Sequence, residues 1–187
     1  MTKRIFIAIK INPNSNFLKK IEEIKTDLKN SKIKWVNYNN FHLTLKFLGD
    51  TQTYQIEKII TELQKIAKQT KTFKISIKDF GVFPNTKKPR ILWFGIDNDE
   101  KISEIATKIN TNLSKYNFNA DNKAFKPHLT IGRIKFTEET DKIKKHINNL
   151  KNRQIQEINI DKIILYESIL KKEGPTYKAI KEILLEQ

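Results

Sequence analysis

The sequence predicts a mixed α and β protein made of two like strand–helix–strand halves that face each other across a groove. Three observations carry this expectation. Two short apolar runs, Phe41-His42-Leu43-Thr44-Leu45-Lys46-Phe47-Leu48-Gly49 and Pro127-His128-Leu129-Thr130-Ile131-Gly132-Arg133, hold the same His-x-Thr signature 86 residues apart. Each histidine stands 38 residues after an arginine that opens an earlier strand, Arg4 for His42 and Arg90 for His128. Between arginine and histidine runs one amphipathic helix pattern in each half. Matched order, spacing and motif together make coincidence a poor explanation.

The elements follow in order. Arg4 to Ile9 reads as a first strand. Asn14 to Asn16 supply turn and cap residues, after which Phe17, Ile21, Ile24 and Leu28 make one helical stripe that ends at Asn30-Ser31. Trp35 and Val36 lead through Asn37–Asn40 into the first His strand. There His42 and Thr44 share one face, and Leu43 and Leu45 the other. Gly49-Asp50-Thr51 is expected to close that strand and cap a helix striped by Ile56, Ile59, Ile60, Leu63, Ile66 and Ala67. Phe73 to Phe83 returns as a strand with Phe73, Ile75, Ile77 and Asp79 on one face. The basic loop 84–89 follows.

Arg90 to Ile96 is almost wholly apolar and so predicts a central strand. Asp97-Asn98-Asp99 should cap the helix of Ile102, Ile105, Ile109 and Leu113. Phe118 to Phe125 is read as a loop or short strand leading to the second His strand, where His128 and Thr130 oppose Leu129 and Ile131. A helix through Ile143, Ile147 and Leu150 starts at Thr137–Thr140. Gln154–Ile160, Lys162–Leu170 and Tyr177–Leu185 are closing strands, with a Gly174-Pro175 turn before the last.

Composition narrows the function. Thirty-six Lys and Arg against 21 Asp and Glu leave a formal charge of +15. A surplus of that size favours a polyanionic partner, nucleic acid before a membrane surface. The absence of cysteine excludes a disulfide framework, a thiolate nucleophile and a Cys-ligated metal. The opening apolar run is too short for a signal peptide, and no stretch approaches the roughly 20 apolar residues of a membrane span. The expectation is a soluble, cytoplasmic protein. No G-x-x-x-x-G-K-S/T motif supports a nucleotide cofactor. Three histidines without an H-x-x-x-H pattern give little support to zinc, and the His-x-Thr strands lack the clustered carboxylates of a two-metal nuclease.

Two imidazoles facing each other are a natural acid–base pair near neutral pH. One takes a proton from a nucleophile and the other gives one to a leaving oxygen, while a hydroxyl two residues on can donate to a phosphoryl oxygen. The chemistry suggested is in-line attack on a phosphodiester without a metal.

The segments His42–Gly49 and Pro127–Arg133 resemble the paired motifs of the two-histidine phosphoesterase superfamily. Within it the chain is similar to the RNA 2′,3′-cyclic phosphodiesterases, historically called 2′-5′ RNA ligases. The likeness extends to Arg4–Ile9, Gly81-Val82-Phe83-Pro84, Pro89–Trp93, Phe125, Ser168-Ile169-Leu170 and Gly174–Tyr177. It implies a single bilobal α+β domain over residues 1–187, each half with an antiparallel sheet and outer helices, and the two motifs in a central cleft. It implies hydrolysis of an RNA terminal 2′,3′-cyclic phosphate to a 2′-phosphomonoester with no metal or other cofactor, and a reverse-type 2′-5′ joining of RNA ends. By position, His42 and His128 carry over as the acid–base pair, and Thr44 and Thr130 as phosphate binders. His128 is assigned as base on water and His42 as acid on the 3′ oxygen, with the swap left open by the pseudo-symmetry. RNA with cyclic phosphate ends, tRNA fragments included, is the expected partner of a monomeric enzyme. A related esterase of small cyclic phosphates or 2′-5′ linkages, and a non-catalytic RNA-end-binding module, are the alternatives.

Other residues are less determined. Arg133 matches the family pattern, yet strict alternation puts it on the Leu129–Ile131 face unless the strand ends or bulges at Gly132. Alternation puts Lys46 on the His42 side. Phe125 and Tyr177 are candidates for stacking a base. Trp93 is expected in the core, and His146 on a solvated helix face. The pairs Lys87-Lys88, Lys144-Lys145 and Lys171-Lys172 could follow an RNA backbone or simply solvate loops and helices.

Overall fold

The structure is a computed structural model that describes residues 1–97, 100–118, 125–171 and 174–187. Nine strands and four α-helices occur among them: β1 (Thr2–Lys10), α1 (Ser15–Asp27), β2 (Lys32–Trp35), β3 (His42–Gln52), α2 (Ile56–Ala67), β4 (Phe73–Phe83), β5 (Ile91–Asp97), α3 (Glu100–Ser114), β6 (His128–Phe136), α4 (Thr140–Leu150), β7 (Gln154–Ile160), β8 (Lys162–Lys171) and β9 (Gly174–Leu184). They form a four-stranded sheet in the order β3-β1-β8-β9 and a five-stranded sheet in the order β2-β6-β5-β4-β7. The pairings within both are antiparallel. The expected α+β architecture is present, with β5 at the centre of its sheet.

Each sheet contains strands from both halves of the chain. β3 lies beside β1 and β6 beside β5, as the repeat requires, while β4 joins the second half's sheet and β8 the first's. Helices cross as well: α3 follows β5 but packs on β3, and α1 follows β1 but packs on β7. One continuous core results. Leu43, Leu45, Leu129 and Ile131 are all within 4 % of full burial in it, and each such side chain is worth about 1.5–3 kcal/mol. That burial holds down the backs of the two His strands.

Four sequence expectations are corrected. β3 does not end at Gly49. It runs on to Gln52 through a bulge at Leu48, where Gly49 takes a φ of 71°, and the chain enters α2 through a 3₁₀ turn with a reciprocal Gln52–Gln55 cap. On β4, Ile75 and Ile77 are buried but Asp79 leaves the pattern. It sits in a bulge at φ 52°, its carboxylate accepts from the Asn152 backbone, and Phe80 takes the core position instead. His146 is buried rather than solvated: it packs edge-on against Phe80, with Nε2 2.9 Å from the Asp27 carboxylate at ion-pair distance but without hydrogen-bond alignment. Gly174 and Pro175 are paired residues of β9 rather than a turn.

The short strand β2 was not expected: Lys32-Ile33-Lys34-Trp35 does alternate polar and apolar, but over only four residues. Asn98 and Asp99 of the expected α3 cap, residues 119–124, and Lys172 lie outside the described residues.

Trp93 is a fifth correction. Leu92, Phe94 and Ile96 fill the core, so Trp93 projects from the opposite face of β5 and stacks on Phe83, with ring centroids 4.9 Å apart. Its ring lies over Gly81, where a Cβ would come within 2.3 Å of the indole. Gly81→Ala is expected to cost about 1–3 kcal/mol by overpacking, read as a lower urea midpoint with an unchanged m-value. Because Phe83 in turn meets the His128 ring edge-on at 5.1 Å, the same substitution should also lower activity.

Candidate active site

Both His strands carry their signature residues on one face, and both faces open on the same cleft. Its volume is about 670 Å³, and His42, Thr44, His128, Thr130 and Arg133 all line it. The two imidazoles are mounted identically. Nδ1 of His42 lies 2.6 Å from the Asn40 carbonyl oxygen, and Nδ1 of His128 lies 2.7 Å from that of Lys126. A carbonyl only accepts, so Nδ1 carries the hydrogen in each ring and Nε2 is left for chemistry.

The strands repeat one further feature, which explains Arg133. In β3, Ile7 pairs with Lys46 and Ala8 with Thr44, leaving Leu45 as an extra residue. In β6, Leu92 pairs with Gly132 and Trp93 with Thr130, leaving Ile131 as the extra residue. A bulge inverts the alternation beyond it. The residue after each bulge turns inward: Lys46 is buried, and its Nζ donates to Asn110 Oδ1 at 2.6 Å, while Gly132 is buried beneath Trp35. The residue after that turns outward, so Phe47 and Arg133 enter the cleft at equivalent positions.

Arg133 therefore joins the histidines, by a bulge one residue earlier than glycine alone suggested. Lys46 does not join them. Phe47, which alternation hid, does: its ring is 67 % exposed and lies 5.9 Å from Phe6. The only sequence signal that could have found it is its place in the repeat, opposite Arg133.

Of the two stacking candidates, Tyr177 lines the cleft, edge-on to His42 at 5.1 Å. Phe125 packs against the core and is not among the residues lining the cleft.

The cleft is electrostatically one-sided. Lys34, Lys171 and Arg133 line it and no carboxylate does among the described residues, although the chain has 21 acidic residues. Burial pushes the His42 imidazole below its ordinary value. The Asn40 carbonyl opposes that shift, and the charges of Lys10, Arg133 and His128 add to it. Among the described residues no group of three His, Asp or Glu side chains is placed to hold a metal ion, and no helix is long and apolar enough to cross a membrane.

A two-lobed fold with paired His-x-Thr strands across a basic cleft defines a phosphoesterase of the two-histidine class. The LigT like Phosphoesterase family matches this chain twice, over residues 11–93 and 95–177, once for each half of the repeat. The chain belongs to that family. Relatives named RNA 2′,3′-cyclic phosphodiesterase include one from Methanocaldococcus jannaschii, 35% identical over 96% of this chain and 99% of its own. Another, from Aquifex aeolicus, is 37% identical over 81% of both chains. Among solved structures, Escherichia coli LigT complexed with 3′-AMP superposes with a TM-score of 0.77 over the full length of both chains at 19% identity, a likeness of fold.

Proposed function

We propose that this protein hydrolyses the 2′,3′-cyclic phosphate at the end of an RNA to a 2′-phosphomonoester, with its two histidines as the acid–base pair and no metal. The observation that carries the reading is the pair of imidazoles with free Nε2 atoms in a cleft lined by hydroxyls and cations. The names of the relatives give the substrate class. Water attacks phosphorus as the bond to the 3′ oxygen breaks. His128 Nε2 takes the water proton, and His42 Nε2 delivers its proton to the departing 3′ oxygen. Thr44, Thr130 and Arg133 hold the non-bridging oxygens as their charge grows. Phe47, at the rim, offers a face on which a base can stack. With a 5′-hydroxyl in place of water, the same displacement of the 3′ oxygen joins RNA ends through a 2′-5′ bond. The enzyme is read as a cytoplasmic monomer acting on RNA fragments, tRNA fragments among them.

The test is incubation of an RNA oligonucleotide ending in a 2′,3′-cyclic phosphate with the protein in EDTA, with the products resolved as 2′- or 3′-monophosphate. A 2′-phosphate is expected. A 3′-phosphate, or no reaction until a divalent ion is added, overturns the mechanism. Salt-sensitive binding without turnover would make the protein an RNA-end-binding module.

Lys34 and Lys171 flank the cleft and are exposed, so they suit phosphates upstream of the reacting one. Replacing both with alanine is expected to raise KM for an oligonucleotide much more than for a cyclic mononucleotide. It should also flatten the log–log salt dependence of oligonucleotide binding by about 0.7 for each lost contact. Equal effects on the two substrates would favour an esterase of small cyclic phosphates.

A further inference from the structure

The two imidazoles are mounted alike at Nδ1 and differently elsewhere. Behind His128, the acceptor residue is Lys126, whose side chain is exposed, and the ring's aromatic neighbour is Phe83 of the regular sheet. Behind His42, the acceptor residue is Asn40, and its side chain reaches across the cleft. Asn40 Nδ2 donates to the Pro175 carbonyl oxygen at 3.0 Å. Pro175 lies near the start of β9, in the part of the β8–β9 hairpin that extends past the last residue β1 pairs with, Glu167. Two residues further on, Tyr177 sets its ring edge-on to His42 at 5.1 Å and 85°, and meets Phe6 at 4.9 Å. Phe6 itself meets His42 at 5.1 Å. The imidazole is thus enclosed between Phe6, from within the sheet, and Tyr177, from a hairpin that Asn40 ties in place.

We propose that Asn40 is the positioning residue of His42, its carbonyl fixing the tautomer and its carboxamide, through Pro175, holding the Tyr177 ring against the imidazole. One residue then sets both the direction of Nε2 and the exclusion of water from one side of the ring. At the equivalent position behind His128 stands Lys126, which has no carboxamide to play this part, so the two mountings differ at this residue. Loss of the carboxamide lets Tyr177 move away and water reach His42. Since burial is the main cause of its lowered pKa, ahead of the charges of Lys10 on β1 and of Arg133 and His128 on β6, that pKa then rises.

The kinetic part of this inference rests on the proposed hydrolysis, so the first readout is independent of it. The imidazole signals of His42 and His128 are titrated by NMR in the free wild-type protein and in Asn40→Ala, Tyr177→Ala, Tyr177→Phe and the Asn40→Ala/Tyr177→Ala pair. Asn40→Ala and Tyr177→Ala are each expected to raise the His42 pKa and leave that of His128 in place. The double variant should go no further than the larger single change, because the two residues act in series. Tyr177→Phe should behave as wild type.

In the hydrolysis assay the two alanine variants are expected to lose about tenfold in kcat, as misoriented catalytic groups do. Where alanine at position 40 costs the fold, Asn40→Ser, too short to span to Pro175, replaces it. An unmoved His42 titration in folded Asn40→Ala, or fully additive shifts in the double variant, overturns the proposal. If His42 shifts as expected while the wild type hydrolyses no cyclic phosphate, the functional reading falls and the positioning role stands.

Discussion

His42→Ala and His128→Ala are each expected to lower kcat for 2′,3′-cyclic phosphate hydrolysis by about 10²–10⁴-fold, the usual worth of a positioned acid or base. The fold should survive both changes. Each ring is partly exposed on the cleft face, and the strand beneath it is held by Leu43 and Leu45 or by Leu129 and Ile131 on the other side. An unaltered melting transition alongside lost turnover would assign the effect to chemistry.

The pH dependence reads the His42 titration directly. An acid must be protonated to act, so activity in kcat/KM falls as pH rises through its pKa. Burial lowers the His42 pKa, so the limb of the profile that His42 sets is expected on the acid side of the ordinary imidazole value of about 6.5. A profile in which neither limb moves when the His42 pKa is raised would remove His42 from the acid–base pair.

Arg133→Met is expected to reduce kcat by about 10²–10³-fold, the cost of removing one preorganised donor to an oxygen that gains charge. Methionine keeps the length and flexibility of the stem, so packing changes little while the charge goes. The guanidinium lines the same cleft as both histidines, and its charge helps to lower the His42 pKa. Arg133→Lys should recover part of the loss, since a lysine restores the charge but not the planar fork of donors. A methionine variant with unchanged kcat and raised KM would make Arg133 a general electrostatic anchor for the substrate.

The prediction for Arg133 depends on a feature that alternation alone contradicts. The pattern H-x-T-x-x-R places the arginine on the buried face of a regular strand, and H-x-T-x-x-F does the same for Phe47. Both conflicts dissolve at one extra residue per strand, Leu45 and Ile131. A bulge is set by the register against the neighbouring strand, and the bulged residues are ordinary core aliphatics with no local mark. Lys46 shows the converse. Read as a cleft residue from its spacing, it is buried, because the inverted phase turns it toward Asn110 of α3. His146, in a charged helix, looked solvated for a related reason: its burial depends on α1 supplying Asp27 and β4 supplying Phe80.

What the sequence by itself determined was the repeat, and with it the faces on which the candidate site residues stand. Two His-x-Thr strands, each with an apolar back, set four polar side chains on the faces away from the core, because burial of Leu43 and Leu129 leaves the histidines no other direction. Only the tertiary structure decided the rest. It interleaved the halves, sending β4 and β8 to each other's sheets, and inserted the bulges that bring in Phe47 and Arg133. It also carried Tyr177, from a hairpin outside the His-x-Thr repeat, onto one histidine and not the other. These are long-range choices, made by strand register and by contacts between residues more than a hundred positions apart, such as Asn40 with Pro175. Local periodicity reports which way a side chain points along its own strand, and it contains nothing about the neighbour that shifts the phase.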